Sequence, residues 1–417
     1  MIQKLWLYPP LAFARFGPSE TPCDSFYWGP NDLRPRGTGK TIIQPAETLH
    51  VSVDGTITSS MPTEIKFKDA AGFKPVCPFF ELHGEWATEE GTVSGPITPQ
   101  VLTKFGLTAH NLKWKVEVAN LKPFHYTLVP GDRIVATVEL TGDMTERQML
   151  FGVSLPDTEQ PLVPLGEHLP LGSVQLTKPT DQFPEFRLRF TPAAGWVYGP
   201  TNLSQRSREF VLPPDRLILN AEAAWCRFVP VGDDFRTNPG GLYAADDNGV
   251  SLGLVDDVCD GVIICSLNGF PTALARIVVG PPTYASDRRP FTSLADGLTD
   301  RVRRHDVRDP TYVEDMEMTT LEVRDLMERI FETVGLINID AQNDRARREN
   351  RAIAMEQGLP PNAAEDKAFP RMEPVLGRPL PLTEVGRQRH HRFVPMEVFE
   401  DILRERPDSC FTNLSSN

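Results

Sequence analysis

The chain has 417 residues, 40% of them hydrophobic and 24% charged, with a formal net charge of −13 and 39 prolines against 30 glycines. This is globular composition, long enough for more than one core, and its acidic balance disfavours a nucleic-acid partner because phosphate backbones repel it. No run of about 18 apolar residues is present, so no membrane span is expected. Prolines at this density favour short strands over long helices.

The segment Leu5 to Phe16 ends in Ala12-Phe13-Ala14, which imitates a signal-peptide cleavage site. Pro9-Pro10 interrupts it and Arg15 follows, so it reads as a first strand of a cytoplasmic protein. Arg36 to Thr41 looks like a phosphate loop, but the position of its first glycine is Arg34, so it reads as a basic loop entering a strand at Ile42. Asp54-Gly55 between Val51/Val53 and Ile57 has the form of a hairpin turn. Ile65 and Phe67 alternate with Lys66 and Lys68, and Leu112, Trp114, Val116 and Val118 with Lys113, Lys115 and Glu117, the period of strands with one buried face. Ile134 to Leu140 is another such strand. Phe186, Leu188 and Phe190 begin a second sheet or the other half of a sandwich. From Asp246 short strands alternate with turns, Leu252 to Val255, Val262 to Leu267 and Ala275 to Val279, until Pro281-Pro282.

Helices follow Pro290. Thr319 and Glu322 have capping-box spacing, and Val323, Leu326, Met327, Ile330, Phe331 and Val334 form one apolar stripe that Gly335 would stop. Residues 341 to 357 continue as a surface helix, 358 to 393 form a Pro- and Arg-rich arm, and Met396 to Arg404 is a short helix. The expected fold is mainly β: a β-sandwich-like N-terminal region, a small α-helical segment and an extended C-terminal arm. The boundaries are 1–160 and 161–290 for two packed β-rich subdomains, 291–357 for the helices and 358–417 for the arm.

Several candidate sites can be weighed on residues alone. Gly249-Val-Ser251-Leu-Gly253 matches a nucleophile elbow but runs between acidic turns instead of opening a helix. Asp256, Asp257 and Asp260, with Asp233, Asp234, Asp246 and Asp247 upstream, could offer hard oxygens to Ca²⁺ or Mg²⁺. Position 258 is Val, which misses the helix-loop-helix calcium pattern, and Asp in tight loops routinely bonds backbone N–H groups. His390-His391-Arg392 reads as a basic patch. Glu81, His83 and Glu85 alternate along one strand face and are the catalytic candidates, His83 the first to mutate. The six cysteines, at 23, 77, 226, 259, 265 and 410, form no C-x-x-C pair and read as reduced thiols.

Five segments, in order, resemble the N-terminal β-rich region of the lysine ε-oxidase and glycine oxidase family, whose members carry a cysteine tryptophylquinone. They are Pro10 to Ser19, Lys68 to Phe80, Trp114 to Lys122, Gly253 to Gly261 with its Asp-Asp-x-x-Asp-Gly pattern, and Ile277 to Ala285 with its Pro-Pro strand end. The resemblance covers roughly the first 290 residues. It implies an oxidase-like scaffold. In the family the quinone tryptophan and its cysteine follow the Pro-Pro strand end, whereas here the last tryptophan is Trp225. Neither has a counterpart, and cysteine tryptophylquinone is not expected. Trp225 and Cys226, as strand neighbours, would point to opposite faces, which leaves Trp196 with Cys226 as the candidate pair for such a cross-link. No cofactor is therefore predicted. The favoured reading is a scaffold or interaction protein that binds a protein partner or forms a homo-oligomer, with neither nucleic acid nor membrane. The alternative is an amine or amino-acid oxidoreductase using an unrecognised site or a partner subunit.

Overall fold

A computed structural model describes residues 2–31, 41–156, 158–207, 210–227, 251–267, 270, 272–282, 289, 292, 294–306, 309–313 and 315–334. The chain divides into two units, residues 1–26 with 45–283, and residues 27–44 with 284–417. In chain order the strands are β1 Ile2–Tyr8, β2 Leu11–Arg15, β3 Phe26–Asn31, β4 Thr41–Pro45, β5 Thr48–Val51, β6 Ile57–Ser60, β7 Lys68–Asp69, β8 Gly72–Phe73, β9 Phe79–Thr88 and β10 Gly91–Pro96. They continue with β11 Leu112–Asn120, β12 Ile134–Thr141, β13 Gln148–Ser154, β14 Leu169–Leu176, β15 Arg187–Thr191, β16 Val197–Pro200, β17 Leu217–Leu219, β18 Val255–Asp256, β19 Asp260–Leu267 and β20 Ala273–Gly280.

The first unit is mainly β, as its alternating sequence predicts. Its main sheet runs β1-β9-β15-β14-β13-β12-β11-β19-β20-β2, with β10 also on β9. Every pairing is antiparallel except β2 on β20, which is parallel. The two ends of this path, β1 and β2, are consecutive in the chain, broken only at Pro9-Pro10, so the sheet nearly closes on itself. Residues on either side of position 160 belong to the same sheet, β13 pairing with β14.

Alternation drives this arrangement. In β11 the residues Leu112, Trp114, Val116 and Val118 are all buried while their neighbours are exposed or half-buried. Phe80 and Leu82 of β9, Leu150 of β13 and Leu188 and Phe190 of β15 enter the same core. Burying such side chains is worth about 1.5–3 kcal/mol each relative to leaving them in water. The expected hairpin at Asp54-Gly55 forms between β5 and β6, with Gly55 at φ 85°. Ile65 and Phe67 depart from expectation: no strand forms there, and only Lys68–Asp69 pairs, in the two-residue ladder β7–β8. The alternation at 65–68 is too short to recruit a partner strand.

In the second unit the helices are α4 Leu294–Arg303 and α5 Met316–Val334; the short α1 Pro99–Lys104, α2 Lys122–Thr127 and α3 Leu203–Arg206 belong to the first. Helix α5 begins one turn earlier than Thr319-x-x-Glu322 suggests. The Asp315 carboxylate accepts the Met318 N–H at 3.1 Å and so caps the helix, which leaves Thr319 inside it. Arg329 is buried and ties the two helices, donating to Asp296 at 2.6 Å and to Asp325 at 2.9 Å. The expected helices at 341–357 and 396–404 and the arm at 358–393 lie outside the described residues, as do Gly335, the His390-His391-Arg392 patch and Arg36 to Lys40. Among the described residues no helix is long and apolar enough to cross a membrane.

Candidate functional site

The β9 face that the alternation marks is real. Glu81, His83 and Glu85 are half-buried on one side of the strand while Phe80, Leu82 and Trp86 are buried on the other. His83 Nε2 and Glu81 Oε1 are 2.8 Å apart, and the other Glu81 oxygen accepts from Arg187 Nε at 2.7 Å. Arg187 also pairs with Glu185 at 2.9 Å. Register supplies the rest. Trp6 of β1 sits opposite His83, and Tyr8 opposite Glu81, with ring centroids 5.9 Å (Trp6) and 5.8 Å (Tyr8) from the imidazole. Lys4 Nζ lies 5.6 Å from the Trp6 ring. Tyr8 is 63% exposed, so this face offers two aromatic rings beside the Glu81 carboxylate, which His83 and Arg187 both hold. Glu81 fixes the orientation of His83, the job a carboxylate does for a catalytic imidazole. Trp6, Tyr8 and Arg187 were not singled out from the sequence, because strand pairing brings the two rings to His83 from 77 and 75 positions away and Arg187 to Glu81 from 106 positions away.

The acidic segment behaves differently. It is extended, and burial alternates along it: Asp257 is buried, Asp256 half-buried and Asp260 exposed. Asp256 is paired with Lys122, and its carbonyl accepts from Asn120 Nδ2 at 2.7 Å. One Asp257 oxygen accepts the backbone N–H groups of Gly195 at 3.0 Å and Trp196 at 2.9 Å, while the other is buried with no hydrogen-bond partner among the described residues. Burial pushes this carboxyl up to about 7, against the pull of those two N–H groups. Tyr198 nearby is likewise raised by burial, to about 12. Among the described residues no three His, Cys, Asp or Glu side chains gather as metal ligands would, so the structure does not bring Asp256, Asp257 and Asp260 together. Asp233, Asp234, Asp246 and Asp247 lie outside the described residues.

Trp196 and Cys226 occupy unlike surroundings. Trp196 is 39% exposed and carries the Arg216 guanidinium 3.9 Å from its ring centroid. Cys226 belongs to the buried core, where burial pushes its thiol up to about 12, and its Sγ faces Gly253. Trp196 thus stands partly in solvent and Cys226 in the core. Trp225 and Cys226 are not strand neighbours, as their sequence suggested; both are buried in a 3₁₀ turn, Ala224–Arg227. The premise of opposite strand faces fails there, because the turn replaces the strand's twofold alternation.

Ser251 is fully buried. Its hydroxyl accepts the Gly253 N–H at 3.1 Å, and its carbonyl accepts from Arg206. The chain then enters β18 instead of a helix, so the elbow pattern does not present a nucleophile.

No protein-family model matches the chain, and no curated protein matches it. Among solved structures, the L-lysine ε-oxidase of Marinomonas mediterranea and its Schiff base intermediate with L-lysine each show 15% identity and a TM-score of 0.36. A further structure of the ε-lysine oxidase from that organism shows 16% identity and a TM-score of 0.37. Each match covers 71% of this chain but only 39% of the oxidase. A likeness this distant assigns no chemistry to the present chain.

Proposed function

We propose that this chain is an interaction protein, a β scaffold that recognises a protein partner, with a second copy of itself as the first partner to test. The observation that carries the reading is the face built by Trp6, Tyr8, His83, Glu81 and Arg187. Trp, Tyr and Arg are the residue types that dominate binding energy at protein interfaces. Glu81 is already held by His83 and Arg187, so a partner could cover the aromatic rings without leaving that carboxylate unpaired. Sedimentation velocity over a range of concentrations tests it. The wild-type chain should associate, and a Trp6→Ala, Tyr8→Ala double variant should sediment as monomer. A wild type that remains monomeric throughout would rule out self-association through this face.

A second reading has one observation behind it, the Glu81–His83 hydrogen bond. It makes His83 the general base of an amine or amino-acid oxidoreductase whose redox group lies in an unrecognised site or on a partner subunit. Its quinone version has a direct test. The intact mass should equal that of the unmodified sequence, and redox staining should be negative. A mass that has lost hydrogens and gained oxygen, with a stained band, would overturn that expectation.

A further inference from the structure

Cys23 and Cys77, far apart in sequence, meet at a single atom. The Cys23 backbone N–H donates to Pro75 O at 2.8 Å, and Cys77 Sγ lies 3.9 Å from that same oxygen. Both are free thiols, and neither is fully buried as Cys226, Cys259 and Cys265 are. The segments bearing them are stitched together in fixed register. Arg15 and Val76 exchange both backbone hydrogen bonds, Ser19 N–H donates to Phe73 O at 3.2 Å, and Lys74 pairs with Asp24 at 3.5 Å. At Gly17 the approach is so close that a Cβ would meet Phe73 O at 2.2 Å. Arg189 and Arg147 stand near Cys77 and favour its thiolate, though burial outweighs them and raises it. Burial pushes Cys23 up to about 11, with Asp24 and Cys77 adding to the rise.

We propose that Cys23 and Cys77 form a reversible disulfide that locks the 15–24 segment onto residues 69–77, closed by exchange with a low-molecular-weight disulfide. The shared contact with the Pro75 carbonyl holds the two segments side by side, near enough for the Cys77 charge to act on Cys23. In the first step one protein thiolate attacks the small disulfide and expels a small thiolate, leaving a mixed disulfide. The second protein thiolate then attacks the protein sulfur of that bond and expels the other small thiolate. Two protein S–H bonds are lost, one S–S bond is exchanged for another, and the two electrons and two protons leave with two small thiols. Thiolate supply limits both steps, so closure should accelerate about tenfold per pH unit on the alkaline side of neutrality.

The test is equilibration of the full chain in glutathione buffers of increasing oxidised fraction, followed by alkylation and peptide mass spectrometry. The expected product is one peptide pair linking Cys23 to Cys77, lighter by two hydrogens, in a protein that melts roughly 5 °C or more above the reduced form. Cys23→Ser should leave a persistent mixed disulfide on Cys77, because the resolving thiol is gone. A wild type whose two thiols stay alkylatable in the most oxidising buffer would overturn the proposal. So would wild-type mixed disulfides that never resolve, or a link from either residue to another cysteine such as Cys410.

Discussion

Gly261→Ala should destabilise the β unit by about 3 kcal/mol, the upper end of the usual cost of overpacking a core, because backbone has to be forced apart. Gly261 lies in β19 opposite Val118 of β11. A Cβ there would meet Glu117 O at 2.1 Å, Val118 Cα at 2.7 Å and Glu117 C at 2.9 Å. All three are backbone atoms of a strand held on its far side by β12, so none can yield as a side-chain tip would. Relief requires the β11–β19 ladder to open, with Val116, Val118 and Ile263 losing burial along with it. Gly95→Ala is the matched control. Its Cβ would meet only Trp86 Cη2, at 3.7 Å, so its urea midpoint should lie close to wild type. Equal midpoints for the two variants would show that the β11–β19 contact has slack.

Gly261 also shows where sequence reading stops. In the Asp-Asp-x-x-Asp-Gly pattern it passes for a turn glycine, and the strand is expected from Val262. In fact the strand starts at Asp260, and the glycine is needed because another backbone presses on it. Alternation within a strand is written locally, which is why β11, β12, β15 and the Glu81–His83–Glu85 face were legible. Which strand lies beside which is decided by non-local pairing. Trp6 and Tyr8 reach His83 only through the β1–β9 register, and Cys23 reaches Cys77 only through Pro75, so neither grouping has a local signature. The Thr319 capping box was locally sound, but a better cap one turn earlier, Asp315, displaced it. At Trp225-Cys226 the apolar pair gave no hint of a 3₁₀ turn, since burial alone does not distinguish a turn from a strand.

The gap in stability between Asp257→Asn and wild type should change by on the order of 3 kcal/mol between pH 5 and pH 8, in favour of the variant at the higher pH. The sign follows from the direction of the shift. In the unfolded chain an aspartate titrates near 4, whereas burial raises Asp257 in the folded protein to about 7. The folded state therefore holds a proton that the unfolded state has released. The stability associated with that proton is fully present below about pH 4. It is lost as pH rises through the folded value of about 7. Asp256, next in the chain, opposes ionisation, and the carboxyl also bears on Tyr198 and Cys259, both raised. Arg216 acts on Tyr198, but among the described residues no hydrogen bond from a cation reaches the second Asp257 oxygen. Asparagine keeps an oxygen for the N–H groups of Gly195 and Trp196 and carries no charge at any pH. Chemical denaturation of both proteins at several pH values isolates this one carboxyl, because every other titrating group, including the raised and buried Asp132, is common to the two. Parallel stability profiles would mean that Asp257 stays ionised in the fold, and that the two backbone N–H groups outweigh its burial.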